Sequence, residues 1–332
     1  MIRYSLYVLK QRASSEYSEV MEGIIESKSE QKNVKQESDK ERIAYLEEKL
    51  AAQSEMLSMT SDYMKKTQRE LTAANKHLKD SIHSARRIQD ALVPSEERLQ
   101  RVFPGAFVLY LPKDELSGDI FWVRNIQGRR MAAAIDCTGH GVPGAMLTVL
   151  VISLLNQIVS QNIGVLSPAQ ILEELHRLLS AHTHNYSSRR QVRDGLDLAL
   201  ITWDKESQTV EYAGAKRPLY LLRNKKMTTY KGTRISIGDD KMSTKSATQI
   251  ENHKIPVQSG DWIYLCSDGY HDQFGGPDNF KMMQRRFRYL LAGNAETYRS
   301  GDQQQRGLLE YFYDWKDGHP QIDDVLVLGI PF

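Results

Sequence analysis

Four segments place an aspartate at the end of an apolar run: LSGD at Asp119, MAAAID at Asp136, WIYLCSD at Asp268 and QIDDVLVLGI at Asp323 and Asp324. A single such carboxylate most often caps a helix or closes a turn. A set of them at strand ends, without a His or Cys ligand pattern, is hard oxygen ligation suited to Mg²⁺ or Mn²⁺. Ions of that kind commonly prepare phosphate chemistry.

The glycines point the same way. In DCTGHGVPGAM, Gly139, Gly141 and Gly144 lie between a strand ending at Asp136 and a helix starting at Val142, so backbone can approach a ligand closely. SDG at 267–269 repeats the pattern of strand, acid and free turn. The chain has no GxxxxGK[ST] phosphate loop and no GxSxG nucleophile elbow, which argues against a P-loop nucleotide enzyme and a serine hydrolase.

To position these acids, the chain offers strand patterns at 106–110, 120–126, 130–137, 198–203, 209–213, 219–223, 262–266 and 325–330. Helical patterns cover 142–160, 168–183, 278–292 and 302–314. Strands and helices come in blocks, which predicts sheet layers covered by helices, an α+β fold. The most apolar run, 145–159, carries Thr148, Ser153, Asn156 and Gln157 and reads as a core helix, so no membrane span is expected.

Residues 28–92 differ in kind. They hold no Gly, no Pro and one Val, and they predict a long helix. Steps of seven from Ile43 meet Leu50, Leu57, Met64, Leu71, Leu78, Ala85 and Leu92, the seam of a coiled coil. The companion series, Leu46, Gln53, Thr60, Thr67, Ala74, Ser81 and Ile88, is polar in its middle, so the pairing should be adjustable. Val93 and Pro94 should end the helix. The expected organisation is a segment 1–27 of unassigned role, a coiled-coil dimerisation linker at 28–93 and a catalytic domain at 94–332.

Composition excludes other classes. Lys and Arg number 44 against 42 Asp and Glu, a net charge of +2, which gives no global field for nucleic acid. The helical region mixes 13 basic with 11 acidic residues, a solvated surface. Cys137 and Cys266 cannot build a disulfide framework, and the N-terminal apolar stretch is too short for a signal peptide, so a cytoplasmic protein is expected. Arg189, Arg190 and Arg193 read as a solvated loop, and KMMQRRFR at 281–288 as a helix turning Met282, Phe287 and Leu290 inward.

The segments LSGDIFWV, DCTGHGVPGAMLT, DGLDLALITWD, AGAKRPLYLL, LCSDGYHDQFGG and QIDDVLVLGI, in that order, resemble the motifs of bacterial metal-dependent protein serine/threonine phosphatases, the SpoIIE and RsbU branch of the PPM family. The resemblance spans roughly 95–332. It implies an αββα sandwich with two Mn²⁺ or Mg²⁺ ions at one end. Asp136 would bridge the ions, the Cys137 carbonyl, Asp268 and Asp323 would ligate them, and Asp119 would be an outer ligand. Asp136 and Asp268 would thus be the catalytic pair, with a metal-bridged water attacking phosphorus; the choice of Asp323 over Asp324 follows the family pattern. His140 invites a role as proton donor, but its spacing from Asp136 differs from the acid-glycine-histidine motif of eukaryotic relatives, which favours structural orientation of the loop, with water as the leaving-group acid. Typical substrates of this branch are phosphorylated STAS-domain anti-sigma-factor antagonists, and an upstream regulator would supply the signal. The competing readings are a catalytically silent, phosphatase-like interaction protein assembled through its coiled coil, and a metal nuclease or nucleotide hydrolase using the same acids.

Overall fold

A strand that is apolar at nearly every position must be covered on both faces. In the computed structural model of the chain, every long strand of that kind is covered so. The structure describes residues 2–139, 141–162, 166–184, 195–238 and 249–332, with backbone alone for 2–13, 15–17, 34 and 182–184. Two units are present, Met1–His77 and Leu78–Phe332. The first is helix: α1 runs Ile2–Asp90, and its residues 78–90 belong to the second unit.

In the second unit α2 (Glu96–Val102) precedes β1 (Phe107–Leu111), β2 (Asp119–Ile126) and β3 (Arg129–Cys137). Next come α3 (Val142–Gln161), α4 (Pro168–His184), β4 (Leu196–Asp204), β5 (Thr209–Ala215), β6 (Leu219–Arg223) and β7 (Lys226–Tyr230). The chain continues through β8 (His253–Pro256), β9 (Trp262–Cys266), α5 (Gly269–Asp272), β10 (Phe274–Gly275) and β11 (Phe280–Lys281). It closes with α6 (Met283–Thr297), α7 (Gly301–Lys316) and β12 (Val325–Pro331). Two antiparallel five-stranded sheets result, ordered β1-β12-β9-β6-β7 and β2-β3-β4-β5-β8.

Alternation along the strands makes three apolar layers. In β2, Phe121 and Val123 point between the sheets, while Ile120 and Trp122 meet α3 and α4. In β12, Leu326 and Leu328 point between the sheets, while Val325 and Val327 meet Phe287, Leu308 and Phe312 of α6 and α7. Order across the layers is helix, sheet, sheet, helix, the αββα sandwich implied by the motif resemblance. Helix α3 has the length and apolarity to cross a membrane, yet half of its most apolar window is buried. Val151, Ile152, Leu155 and Ile158 bury it against the sheet, as expected of a core helix.

Three local differences from expectation have simple causes. Helix α6 starts at Met283, not 278, because Gly276 and Asn279 take positive φ and turn the preceding residues into the β10–β11 hairpin. Strands β7 and β8 went unread because both are sheet edges, short and partly polar, which blunts the pattern. Helix α1 stops at Asp90, and Ala91 to Val93 close on it as a turn.

That turn has a buried polar anchor. Gln89 is 3% exposed; its Nε2 donates to the Ser117 carbonyl at 2.6 Å and to Thr148 Oγ1 at 3.0 Å, and its Oε1 accepts from the Ser117 N–H at 3.1 Å. One amide thus ties the end of α1 to α3 and to the loop that enters β2 at Asp119. Gln89→Ala would leave Ser117 with two unpaired buried groups, so the second unit should lose about 2–3 kcal/mol of unfolding free energy. The midpoint of urea denaturation measures it, and a shift below a third of that size would mean that water replaces the amide.

Candidate active site

The pairing register decides where the acids meet. Asp119 lies directly opposite Asp136, and Asp136 directly opposite Asp197, on the adjacent strands β2, β3 and β4. By strand alternation all three side chains share the inter-sheet face with Phe121, Ala134 and Ala199. From the other sheet, Asp268 follows β9, and Asp323 and Asp324 precede β12.

Two close backbone contacts hold the loops. A Cβ at Gly269 would lie 1.9 Å from the Asp324 carbonyl oxygen, so SDG admits no side chain there. A Cβ at Gly144 would lie 2.2 Å from the Gly139 carbonyl oxygen, which seats the loop after β3 against the start of α3. The Cys137 carbonyl faces the same loop entrance, 3.0 Å from where a Cβ on Gly118 would stand. Asp324 is committed to structure: its Oδ1 accepts from the Lys113 N–H at 2.8 Å and its Oδ2 from the Gly118 N–H at 2.7 Å. Asp323 is exposed; its carboxylate accepts the Asp324 N–H at 2.9 Å, and its carbonyl accepts from Gln321 Nε2 at 2.8 Å.

A cation stands among the acids. Arg217 Nη2 lies 2.5 Å from Asp136 Oδ2, 2.6 Å from Asp268 Oδ2 and 3.7 Å from Asp197 Oδ2. It comes from the connection between β5 and β6, where the chain passes from one sheet to the other, and the Tyr212 hydroxyl fixes that turn by donating to the Arg217 carbonyl at 2.6 Å. Asp197 also accepts from Ser236 Oγ at 2.5 Å and lies 3.5 Å from Lys216 Nζ.

Electrostatics follow from this crowding. Burial pushes Asp136 up to about 7; Arg217 opposes that, and Asp268, Asp197 and Asp323 add to it. Asp119 is held well above the usual carboxylate range, first by burial and then by the charge of Asp136. Partial desolvation of its carboxyl, with the charges of Asp268 and Asp324, also raises Asp323, although the residue as a whole is exposed. The thiols of Cys137 and Cys266 are buried and pushed up by that burial, the state of inert core cysteines rather than of redox switches.

These residues suit divalent cations. Asp119 Oδ2 is buried with no hydrogen-bond partner, the donor atoms are all oxygen, and a guanidinium already occupies the space between Asp136 and Asp268. Among the described residues no three His, Cys, Asp or Glu side chains converge closely enough to hold an ion as they stand.

The structure thus brings Asp119, Asp136, Asp268 and Asp323 to one end of the sandwich. His140 and the arginines 189, 190 and 193 lie outside the described residues. In KMMQRRFR, Met282 and Phe287 are buried and Leu290 packs on the same core, while Arg286 lies over the Trp315 ring, as expected of a structural helix. Sequence reasoning passed over Asp197 and Arg217. Asp197 carried a signal, a lone acid at the start of the apolar strand LDLALIT, whereas Arg217 sits in a connection where an arginine reads as solvated.

The model of the family described as Stage II sporulation protein E (SpoIIE) matches residues 127–332. None of the curated proteins matches the chain. Among solved structures, the SiaA-PP2C domain of Pseudomonas aeruginosa is similar at 29% identity and a TM-score of 0.69, over 78% of this chain and 99% of that one. The RsbU and RsbW domains of Rv1364c from Mycobacterium tuberculosis are similar at 22% identity and a TM-score of 0.54, over 69% of this chain and 60% of that one. The PP2C phosphatase domain of SpoIIE from Bacillus subtilis, with a fragment of its regulatory domain, is similar at 17% identity and a TM-score of 0.54, over 68% and 62%. The family match extends over more than half the chain and falls on the sandwich that carries the acids: the chain belongs to the SpoIIE family of bacterial PPM phosphatases.

Proposed function

We propose that this protein is a metal-dependent protein serine/threonine phosphatase acting on a phosphorylated regulatory protein. One observation carries the reading: acids from the ends of both sheets are gathered around the partly buried guanidinium of Arg217, with Asp119 Oδ2 buried and unpaired beside them. Asp136, Asp268, Asp323 and the Cys137 carbonyl would hold two Mn²⁺ or Mg²⁺ ions, with Asp119 as an outer ligand. Such ions supply a water acidic enough to attack phosphorus at neutral pH and neutralise the phosphoryl oxygens. Asp324 is spent on two backbone N–H groups, which favours Asp323 as the ligand. The protein's own contribution is position. The register of β2, β3 and β4 and the contact of Gly269 with Asp324 aim the acids at one point, so little reorganisation accompanies reaction.

By its motif resemblance the substrate is a STAS-domain anti-sigma-factor antagonist, and the signal arrives from an upstream regulator. Residues 28–93 are the linker and 94–332 the catalytic part. The two buried free thiols accord with a cytoplasmic setting. The linker forms a homodimer through residues 43–92: Leu57, Leu71 and Leu78 of the apolar seam are 70%, 56% and 59% exposed among the described residues. The Thr60 and Thr67 hydroxyls of the companion series bond back to helix carbonyls, so this stripe attracts a partner helix only weakly.

Asp136→Asn should fold and lose Mn²⁺-dependent turnover of p-nitrophenyl phosphate and of a phosphoserine peptide, because one charge is removed from the shared position. A folded variant that keeps that turnover would refute the assignment. The wild-type protein should be activated by Mn²⁺ or Mg²⁺ and silenced by a chelator, and retention of tightly bound zinc with indifference to manganese would contradict an all-oxygen site.

Replacing Leu71 and Leu78 together with Gln should convert a dimer to a monomer in sedimentation velocity. It should also change specific activity, since the same helix ends at Gln89. A monomeric wild-type protein, or monomers with unchanged kinetics, would reduce the helix to a tether.

A further inference from the structure

Arg217 is bound in an unusual way. Its three carboxylate pairs all run to one nitrogen, Nη2, and its Nε is buried with no hydrogen bond. An arginine built permanently into an ion pair normally uses its fork, with two parallel bonds to one carboxylate. Arg223 in this same fold does so, with Nε and Nη2 both on Asp261 at 2.9 and 2.5 Å. Arg217 instead places one nitrogen where it spans carboxylates from two sheets, as a small cation would.

We propose that Arg217 is the resident counter-cation of the metal-free site, holding Asp136 and Asp268 in place until divalent ions displace it. The proposal rests on the metal-dependent reading above and adds to it a competition built into the chain. Three carboxylates directly opposed on adjacent strands repel one another, and without a cation the ends of β3 and β4 would be pushed apart. Arg217 answers that repulsion in the metal-free protein. Its single-nitrogen hold on two acids leaves the guanidinium free to withdraw when ions take the same oxygens. Its backbone stays anchored by Tyr212, so withdrawal is a side-chain rotation and not a loop movement. Metal affinity is therefore set below what the acids alone would give, and the empty protein is protected from its own charge.

The test uses the full-length protein stripped with chelator, MnCl₂ as the probe, calorimetric titration for affinity and thermal unfolding for the stripped state. Arg217→Gln should bind Mn²⁺ on the order of tenfold more tightly or better, since charge-assisted bonds no longer have to be broken. It should also unfold at a lower temperature when metal-free. Opposite signs are the signature: an arginine with a merely structural role would weaken both. Lys216→Gln removes an equal charge 3.5 Å from Asp197 and should change affinity less than about twofold, which separates displacement from a general change of field. If Arg217→Gln does not fold, Arg217→Lys carries the same sign with a smaller gain. Unchanged or weaker Mn²⁺ binding in a folded Arg217 variant, or an equal gain from Lys216→Gln, overturns the proposal while leaving the metal reading intact. Absence of Mn²⁺ binding in both wild type and variant overturns the two together.

Discussion

Everything at the working end of this protein follows from placing Asp119, Asp136 and Asp197 opposite one another on three neighbouring strands, on a face that is otherwise apolar. Like charges in direct cross-strand opposition destabilise a sheet, and burial makes the repulsion worse. The fold tolerates the arrangement only because the surroundings oppose it. Arg217 enters from the connection between the two sheets to pair with Asp136 and Asp268, and Ser236 donates to Asp197. A site that gathers this many acids around a single guanidinium is suited to further cations, which is why its geometry and the proposed chemistry share one origin.

The sandwich pays for that concentration of charge by burying both faces of its strands. Each long strand feeds two apolar layers, and the sheet ends are held by close backbone packing and by side chains bonded to backbone groups. Asp324 bonds two N–H groups of the loop between β1 and β2, and its carbonyl packs against Gly269. The last strand, the SDG turn and the entry to β2 are thereby one mechanical piece. Displacement of any of them moves the acids of both sheets together.

Gln89 gives the long helix a place in this arrangement. The same amide that ends α1 is bonded to the residue two before Asp119, and Leu92 and Val93 join the core beneath α3. Between Ile43 and Leu78 the apolar seam is exposed among the described residues, whereas Leu92 packs on the domain core. The helix changes character along its length, from an exposed apolar stripe to a part of the fold that frames the site.

Local sequence determined a great deal here. Period-two and period-3.6 patterns placed eight of the strands and the four covering helices, because each of these is buried and burial imprints the pattern. The order of the acidic and glycine motifs marked Asp119, Asp136, Asp268 and Asp323 and the SpoIIE family, because these motifs are short and local in the chain. Tertiary structure alone decided the rest. Only the register of β3 with β4 sets Asp197 opposite Asp136, and register is a property of two strands sixty residues apart. Only the passage of the chain between sheets carries Arg217 to acids 81 and 51 positions away. Only the packing of α1 on α3 turns Gln89, one polar residue among many in a polar helix, into a buried anchor. In each case the deciding interaction joins residues distant in sequence, and no local pattern records which distant partner a side chain will meet.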